Sequence, residues 1–168
     1  MRLARPRRRE RAPRRWKYVA DEKRSDVTAT TRGAKDDDVP IGARAVFRKT
    51  VSEADVYLYA GVTGDFSPNH VDEEYMQLGR YGHRIAHGAL LLGFMSAASA
   101  RLPLGRTVSL GYDHVRFTGP VYFGDTIETE YMVREYDSER RRVYSALTCK
   151  NQRGEVVAVA VNIRKFVD

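Results

Sequence analysis

One segment limits the possible folds of this chain more than any other. Residues 85–100 (IAHGALLLGFMSAASA) contain no charged side chain. The segment is shorter than the ~18–20 apolar residues that a membrane span requires, and it includes His87, Ser96 and Ser99. A helix that is apolar on every side has to be buried on every side. We therefore predict a buried helix over Ile85–Ala100, with no membrane span, enclosed by the rest of the chain.

The residues after Pro103 have the composition of β-strands. Four segments are rich in Val, Ile, Thr, Tyr and Phe, and turn sequences separate them. These segments are Thr107–Thr118, Thr126–Arg134, Arg142–Lys150 and Val156–Val167. Consecutive strands joined by short turns form an antiparallel meander. The sequence thus predicts an α+β fold, in which a curved antiparallel sheet wraps around one long buried helix.

The segment before the central helix contains a further strand and two short helices. Ala43–Thr50 alternates loosely in polarity and is predicted to be a strand. Ser52, Glu53 and Asp55 form a capping-box pattern that starts a helix, and the helix is expected to end near Gly64. A second helix is predicted over Asp72–Leu78, where acidic residues occupy the first turn.

The net charge of +7 is concentrated at the start of the chain. Residues 1–40 contain 13 Lys/Arg and 7 Asp/Glu, a balance of +6, whereas residues 41–168 contain 16 and 15, a balance of +1. We interpret residues 1–40 as a basic, disordered arm and residues 41–168 as one domain. Polyanion binding by the arm is the least favoured function, and a transit segment is disfavoured because the arm contains acidic residues.

The single cysteine, Cys149, excludes a disulfide framework within the chain and a metal site built from cysteines. Residues 1–40 also contain no apolar stretch of the kind found in secretory signals. We therefore expect a cytoplasmic protein.

Asp65 and His70 are the first candidates for chemistry. They lie five positions apart in a loop that Pro68 stiffens. In a shared pocket, the carboxylate and the imidazole can hold one water molecule, so that one group takes its proton while the other donates or orients. On spacing alone, an ordinary turn aspartate and a capping or core histidine explain the two residues better.

Gly88 is the second candidate, at the entrance to the buried helix. Free N–H groups at a helix N-terminus stabilise negative charge on an oxygen, and a residue without a side chain allows a carbonyl to approach. Tight packing of helix against sheet is the alternative explanation. The side chain of His87 is interpreted as a cap or core residue. Ser96, two turns further on, either faces the same site or bonds back to a carbonyl.

Together these motifs resemble the MaoC-like hydratases of the hot-dog fold, which include the (R)-specific enoyl-CoA hydratases and the 3-hydroxyacyl-CoA dehydratases. The resemblance covers about residues 41–168 and rests on residues 63–70 (TGDFSPNH), 85–88 (IAHG), 117–121 (FTGPV) and 124–126 (GDT). It implies that Asp65 and His70 form the catalytic pair, that the Gly88 N–H is the oxyanion donor, and that Ser96 supports the pair.

The sequence departs from the family pattern at Ser67. Many members have asparagine at this position, two residues after the catalytic aspartate. Ser67 can still support the site by donating one hydrogen bond, but it lacks the geometry of an amide. Asn69 lies at a different position and does not obviously replace that asparagine.

The resemblance implies reversible syn hydration of trans-2-enoyl-CoA to (R)-3-hydroxyacyl-CoA, or the reverse dehydration. The substrate is expected to be an acyl-CoA or acyl-carrier thioester. No metal or redox cofactor is expected, because an enoyl thioester is already electrophilic. A homodimer or higher homo-oligomer is expected, because the sheet leaves an edge strand to pair. A hot-dog acyl-CoA thioesterase and a non-catalytic acyl-thioester-binding subunit remain alternatives.

Overall fold

The computed structural model describes residues 39–167. The arm predicted over residues 1–40 therefore lies almost entirely outside the described residues. The elements follow one another as β1 (Arg44–Thr50), α1 (Glu53–Thr63), α2 (Pro68–Val71), α3 (Glu73–Gln77), α4 (Leu90–Ala100), β2 (Thr107–Phe117), β3 (Thr126–Asp137), β4 (Arg142–Lys150) and β5 (Val156–Phe166). No helix among the described residues is long and apolar enough to cross a membrane.

The five strands form one antiparallel sheet in the order β1-β3-β4-β5-β2. The predicted meander is confirmed for β3, β4 and β5. It is wrong for β2, which pairs with β5 at the edge rather than with β3. Residues 118–125 do not close a hairpin because their backbone is bound elsewhere: Tyr122 forms a bridge with Ile85, and Val121 accepts from the Ala86 N–H. This connection therefore runs beside the start of α4.

Helix α4 packs on β1, β3 and β4. Its buried residues are Leu91, Phe94, Met95 and Ala98. The side of β4 that faces the helix is buried at every second residue: Val143, Ser145, Leu147 and Cys149. This packing of a sheet around one helix confirms the α+β hot-dog fold.

The central helix differs from its prediction in two respects. It begins at Leu90 rather than Ile85, because Ile85 and Ala86 bond to the 118–125 connection as extended chain. It is also buried on one side only, since Gly93 and Ser96 are exposed in this single chain. The sheet covers only one face of the helix. The other face lacks charged residues because small residues such as Gly93 and Ser96 occupy it, and this face is not buried in the single chain.

The helices before α4 were predicted correctly, with one addition. The capping box of α1 is present, since the side chain of Ser52 accepts from the Asp55 N–H and that of Asp55 accepts from the Ser52 N–H. Gly64 ends α1 in the left-handed region at φ 80°, which only glycine adopts without strain. The addition is α2, a single turn with Pro68 in its first position.

Candidate active site

The Asp65 carboxylate is held by the turn that follows α1. Its Oδ1 accepts from the Ser67 hydroxyl at 2.5 Å and from the Ser67 N–H at 3.2 Å. These two hydrogen bonds lower the pKa of Asp65 below its ordinary value. Asp65 is therefore ionised at neutral pH, and its side chain remains accessible from solvent.

His70 lies on α2 and is buried. Its Nδ1–H donates to the carbonyl oxygen of Ile85 at 2.7 Å. A carbonyl can only accept, so in the neutral ring Nε2 carries no proton. Burial lowers the pKa of His70, an effect that the bond to Ile85 partly opposes. At neutral pH, His70 is therefore a base whose unprotonated nitrogen is Nε2.

The two reactive atoms face each other without being bonded. His70 Nε2 lies 3.9 Å from Asp65 Oδ2, which is too long for a direct hydrogen bond. Asp65 and His70 therefore do not hydrogen-bond to each other, and both can hydrogen-bond to a third group placed between them. The geometry is that of two bases sharing one small molecule.

Ser67 and Asn69 each contact one member of the pair. Ser67 donates to the carboxylate of Asp65 and so orients it. The Asn69 amide nitrogen lies 3.1 Å from His70 Nε2 and lines the same cavity as His70. The structure thus places an amide beside the base, one residue before it in sequence.

A cavity of about 520 Å³ has His70, His87 and Gly88 in its wall, whereas Asp65 is not one of its lining residues. Within residues 39–167, the Gly88 N–H donates to no acceptor. A Cβ added at Gly88 would lie 2.8 Å from the Phe117 ring. A free amide and close packing therefore coincide at this residue, so the two explanations of Gly88 are not exclusive.

The structure does not bring Ser96 to the pair. Ser96 is exposed on α4 and does not line the cavity. Burial raises the pKa of Tyr112, and a side-chain hydrogen bond with Ser96 opposes that effect. In the single chain, Ser96 contacts strand β2 rather than supporting Asp65 and His70.

His87 was interpreted from the sequence as a cap or core residue, and the structure places it in the candidate site as well. Its burial agrees with a core position, but its contacts belong to the site: Nε2–H donates to the Asp65 carbonyl oxygen at 2.9 Å, and its ring stacks on His70 at 3.7 Å between centroids. The available signal was its position immediately before Gly88, in the motif that lines the cavity.

Arg84 anchors the segment that contains Ile85, whose carbonyl oxygen accepts the hydrogen bond from His70. Its guanidinium bonds to Glu53 at 2.7 Å and to Glu73 at 3.1 Å, which joins the starts of α1 and α3. The next residue is Ile85, whose carbonyl holds His70 Nδ1. This ion-paired brace therefore restrains the orientation of the base.

Asp65, His70 and His87 each present a ligand-type atom, and the three atoms lie within 4.8 Å of one another. A metal bound by two imidazoles lies in the plane of both rings, about 2.0–2.1 Å from each nitrogen. The two rings are stacked and inclined by only 28°, so their planes do not meet at that distance. As arranged, the cluster fits proton transfer better than metal binding.

The sheet around one helix defines a protein of the hot-dog class, whose candidate site combines the Asp65–His70 pair with the Gly88 N–H. The chain belongs to the MaoC-like domain family, whose family model matches residues 39–153.

Relatives of known name agree with this assignment. The chain is 38% identical over 114 residues to an (R)-specific enoyl-CoA hydratase from Rhodospirillum rubrum, covering 67% of this chain and 78% of the relative. It is 36% identical over 114 residues to a 3-hydroxybutyryl-CoA dehydratase from Methylorubrum extorquens, covering 67% and 72%. The structure resembles an unliganded R-hydratase from Pseudomonas aeruginosa with a TM-score of 0.71 and 33% identity, covering 79% of this chain and 85% of that one.

Proposed function

We propose that this protein catalyses the reversible syn addition of water to trans-2-enoyl-CoA, giving (R)-3-hydroxyacyl-CoA. One observation carries the proposal: Asp65 Oδ2 and His70 Nε2 lie 3.9 Å apart, and His70 lines a cavity whose wall also includes the unpaired N–H of Gly88. The names of the relatives, a hydratase and a dehydratase of CoA thioesters, support the same reaction in either direction.

Gly88 stabilises the charge that the reaction creates. Attack on Cβ moves negative charge onto the thioester oxygen, and a main-chain N–H held toward that oxygen stabilises it more than it stabilises the starting thioester. Helix α4 begins two residues later, at Leu90, and directs its positive end toward the same region.

The protonation states determine the order of proton movement. Asp65 is ionised and His70 is neutral near pH 7, so neither begins with a proton to give. His70 Nε2 takes a proton from water as the water oxygen bonds to Cβ, and the same proton is then delivered to Cα. The Asp65 carboxylate accepts a hydrogen bond from this water and shares in the movement of the proton. The C=C π bond is replaced by one C–O and one C–H bond. Because one water supplies both atoms from one side, the addition is syn.

The pH dependence of the reaction follows from the pKa of His70. Burial lowers this pKa below the ordinary value of 6.5, and the base is lost only when the pH falls through the shifted pKa. We expect the acidic limb of kcat/KM for crotonyl-CoA hydration to have its midpoint below 6.5. A midpoint above 6.5 in a pH–rate profile would contradict the assignment of His70 as the base.

Arg80 is proposed to bind the carrier. It is the only permanently charged residue in the cavity lining, it stacks on Tyr81 at 4.9 Å, and among the described residues it forms no ion pair. CoA and the acyl-carrier arm both bear a phosphate, and a charge-assisted hydrogen bond is worth about 1.5–3 kcal/mol.

Arg80→Ala is therefore expected to raise KM for crotonyl-CoA by roughly tenfold or more, with kcat little changed. The N-acetylcysteamine thioester of crotonate lacks the phosphate and should show no such rise. Arg140→Ala, at an exposed ion pair in the β3–β4 turn, is the matched control. If KM rose equally for both thioesters in Arg80→Ala, the proposal that Arg80 binds the phosphate of the carrier would be wrong.

The protein is also proposed to form a homodimer. Strand β2 lies at the sheet edge with Val108, Leu110 and Phe117 about half exposed, and a long apolar edge strand is prone to pair with another chain. Sedimentation equilibrium is expected to give twice the mass of one chain, whereas Leu110→Lys should shift it toward the monomer. A monomeric wild-type protein at micromolar concentration would contradict this proposal.

The absence of a metal or redox cofactor, and a cytoplasmic location, remain predictions. The stacked imidazoles bear only on a metal bound by both His70 and His87, which their near-parallel planes disfavour. A thioesterase or a non-catalytic binding subunit would use the same fold, but no feature of the described residues favours either.

A further inference from the structure

His87 contacts the elements that carry both reacting groups. Its side chain is 2% exposed, compared with 9% for that of His70. The His87 ring lies between two other rings. The ring centroid of Tyr59 on α1 lies 4.8 Å from that of His87, and the ring centroid of His70 on α2 lies 3.7 Å from it. A single imidazole therefore fills the space between the helix that leads to Asp65 and the helix that carries the base.

The hydrogen bonds of His87 are hard to explain by packing alone. The carbonyl oxygen of Asp65 accepts from Nε2–H, so in the neutral ring Nδ1 has no proton. Nδ1 is buried and has no partner among the described residues. Burying a polar atom without a partner is costly, and a phenylalanine would fill similar space without that cost. The histidine is thus suited to holding the main chain of Asp65.

The stacked ring also affects the base. Burial is the main cause of the lowered pKa of His70, and the proximity of His87 lowers it further, because protonating both stacked rings would bring two positive charges close together. Asp65 acts in the opposite direction, and so does the bond to Ile85. The groups facing His70 are therefore His87, Asp65, Asn69 and the Ile85 carbonyl.

We infer that His87 is a positioning residue of the proposed hydration: one nitrogen anchors the Asp65 main chain, and its ring holds the His70 imidazole in place. The inference rests on the proposed function. It predicts that the two contacts of His87 are separable and that both are required for full activity.

His87→Phe tests the hydrogen bond. It keeps an aromatic ring against His70 and Tyr59, removes the unpaired buried nitrogen, and removes the anchor on Asp65. We expect kcat to fall by roughly 10²-fold, which is the cost of a displacement of about 1 Å in a catalytic site, with KM for crotonyl-CoA little changed. A purely structural role predicts a folded variant with wild-type kcat, and that result would overturn the inference.

His87→Gln tests the stacked ring. Glutamine retains an N–H donor but not the imidazole, so the pKa of His70 should rise, and the acidic limb of kcat/KM should move to higher pH with it. The matched control is His83→Gln, at a side chain that is 73% exposed, which should leave the profile unchanged. If the acidic limb of kcat/KM in His87→Gln had the same midpoint as in the wild type, the inferred effect of the His87 ring on His70 would be wrong.

NMR titration of the His70 imidazole in the wild type and in His87→Gln provides a readout that needs no turnover. If the wild type hydrates no enoyl thioester, the proposed function fails. The titration still decides whether His87 controls His70: a raised pKa in the variant supports the contact, and an unchanged pKa rejects it.

Discussion

Hydration of crotonyl-CoA is expected to fall by about 10²–10⁴-fold in kcat when His70 is replaced by alanine, the range typical of a positioned general base. The expectation follows from the unprotonated Nε2, which is the atom proposed to take the proton from water. Asp65→Asn should cause a loss in the same range, because an amide keeps the shape of the side chain but not its charge. Loss of the conjugated thioester absorbance measures both rates.

The matched control for Asp65→Asn is Asp72→Asn. Asp72 caps α3 by accepting from the Tyr75 N–H, and asparagine caps a helix about as well as aspartate. This control should therefore retain wild-type kcat, which separates the loss of a charge at the site from a general effect of the substitution. Circular dichroism establishes that each variant is folded. Folded Asp65→Asn and His70→Ala proteins with wild-type rates would show that the pair is wrongly assigned.

Release of free CoA, followed with a thiol reagent in the same assays, separates hydration from thioester hydrolysis. A hydratase consumes the conjugated double bond without releasing thiol. A thioesterase releases one thiol for each substrate consumed and would replace the proposed reaction.

Gly88→Ala is expected to cause the second large loss of kcat. The added Cβ would lie 2.8 Å from the Phe117 ring and would occupy the approach of the thioester carbonyl to the Gly88 N–H. Removing an oxyanion donor costs about 2.7–4 kcal/mol, or roughly 10²–10³-fold in kcat, and displacing the carbonyl from its donor should approach that loss. Phe117 is half exposed, so the ring can move and the fold should survive.

The control is Gly93→Ala on α4. A Cβ at Gly93 meets nothing within 4 Å, and alanine is favoured over glycine within a helix by about 1 kcal/mol. This variant is expected to be as active as the wild type and slightly more stable to heat. If Gly88→Ala also retained full activity, the oxyanion role of Gly88 would be untenable.

Local sequence patterns predicted most elements because their causes are local. Ser52 and Gly64 act within one turn of α1, and the alternation along β4 reflects a side-chain period of two. The topology of β2 was mispredicted because residues 118–125 are bound by Ile85 and Ala86, which are remote in sequence. The start of α4 was misplaced for the same reason.

The candidate site shows the same division. The motif around Asp65 and His70, together with Gly88, predicted the reacting groups because residue type and order are visible in one dimension. The sequence alone thus determined the family and the fold class, whereas the residues that carry the chemistry stay a prediction. Only the tertiary structure decided that Ser96 faces Tyr112, that Ser67 holds the carboxylate, and that His87 stacks on His70. Those outcomes depend on distances between side chains from different elements, which packing sets and which no local pattern encodes.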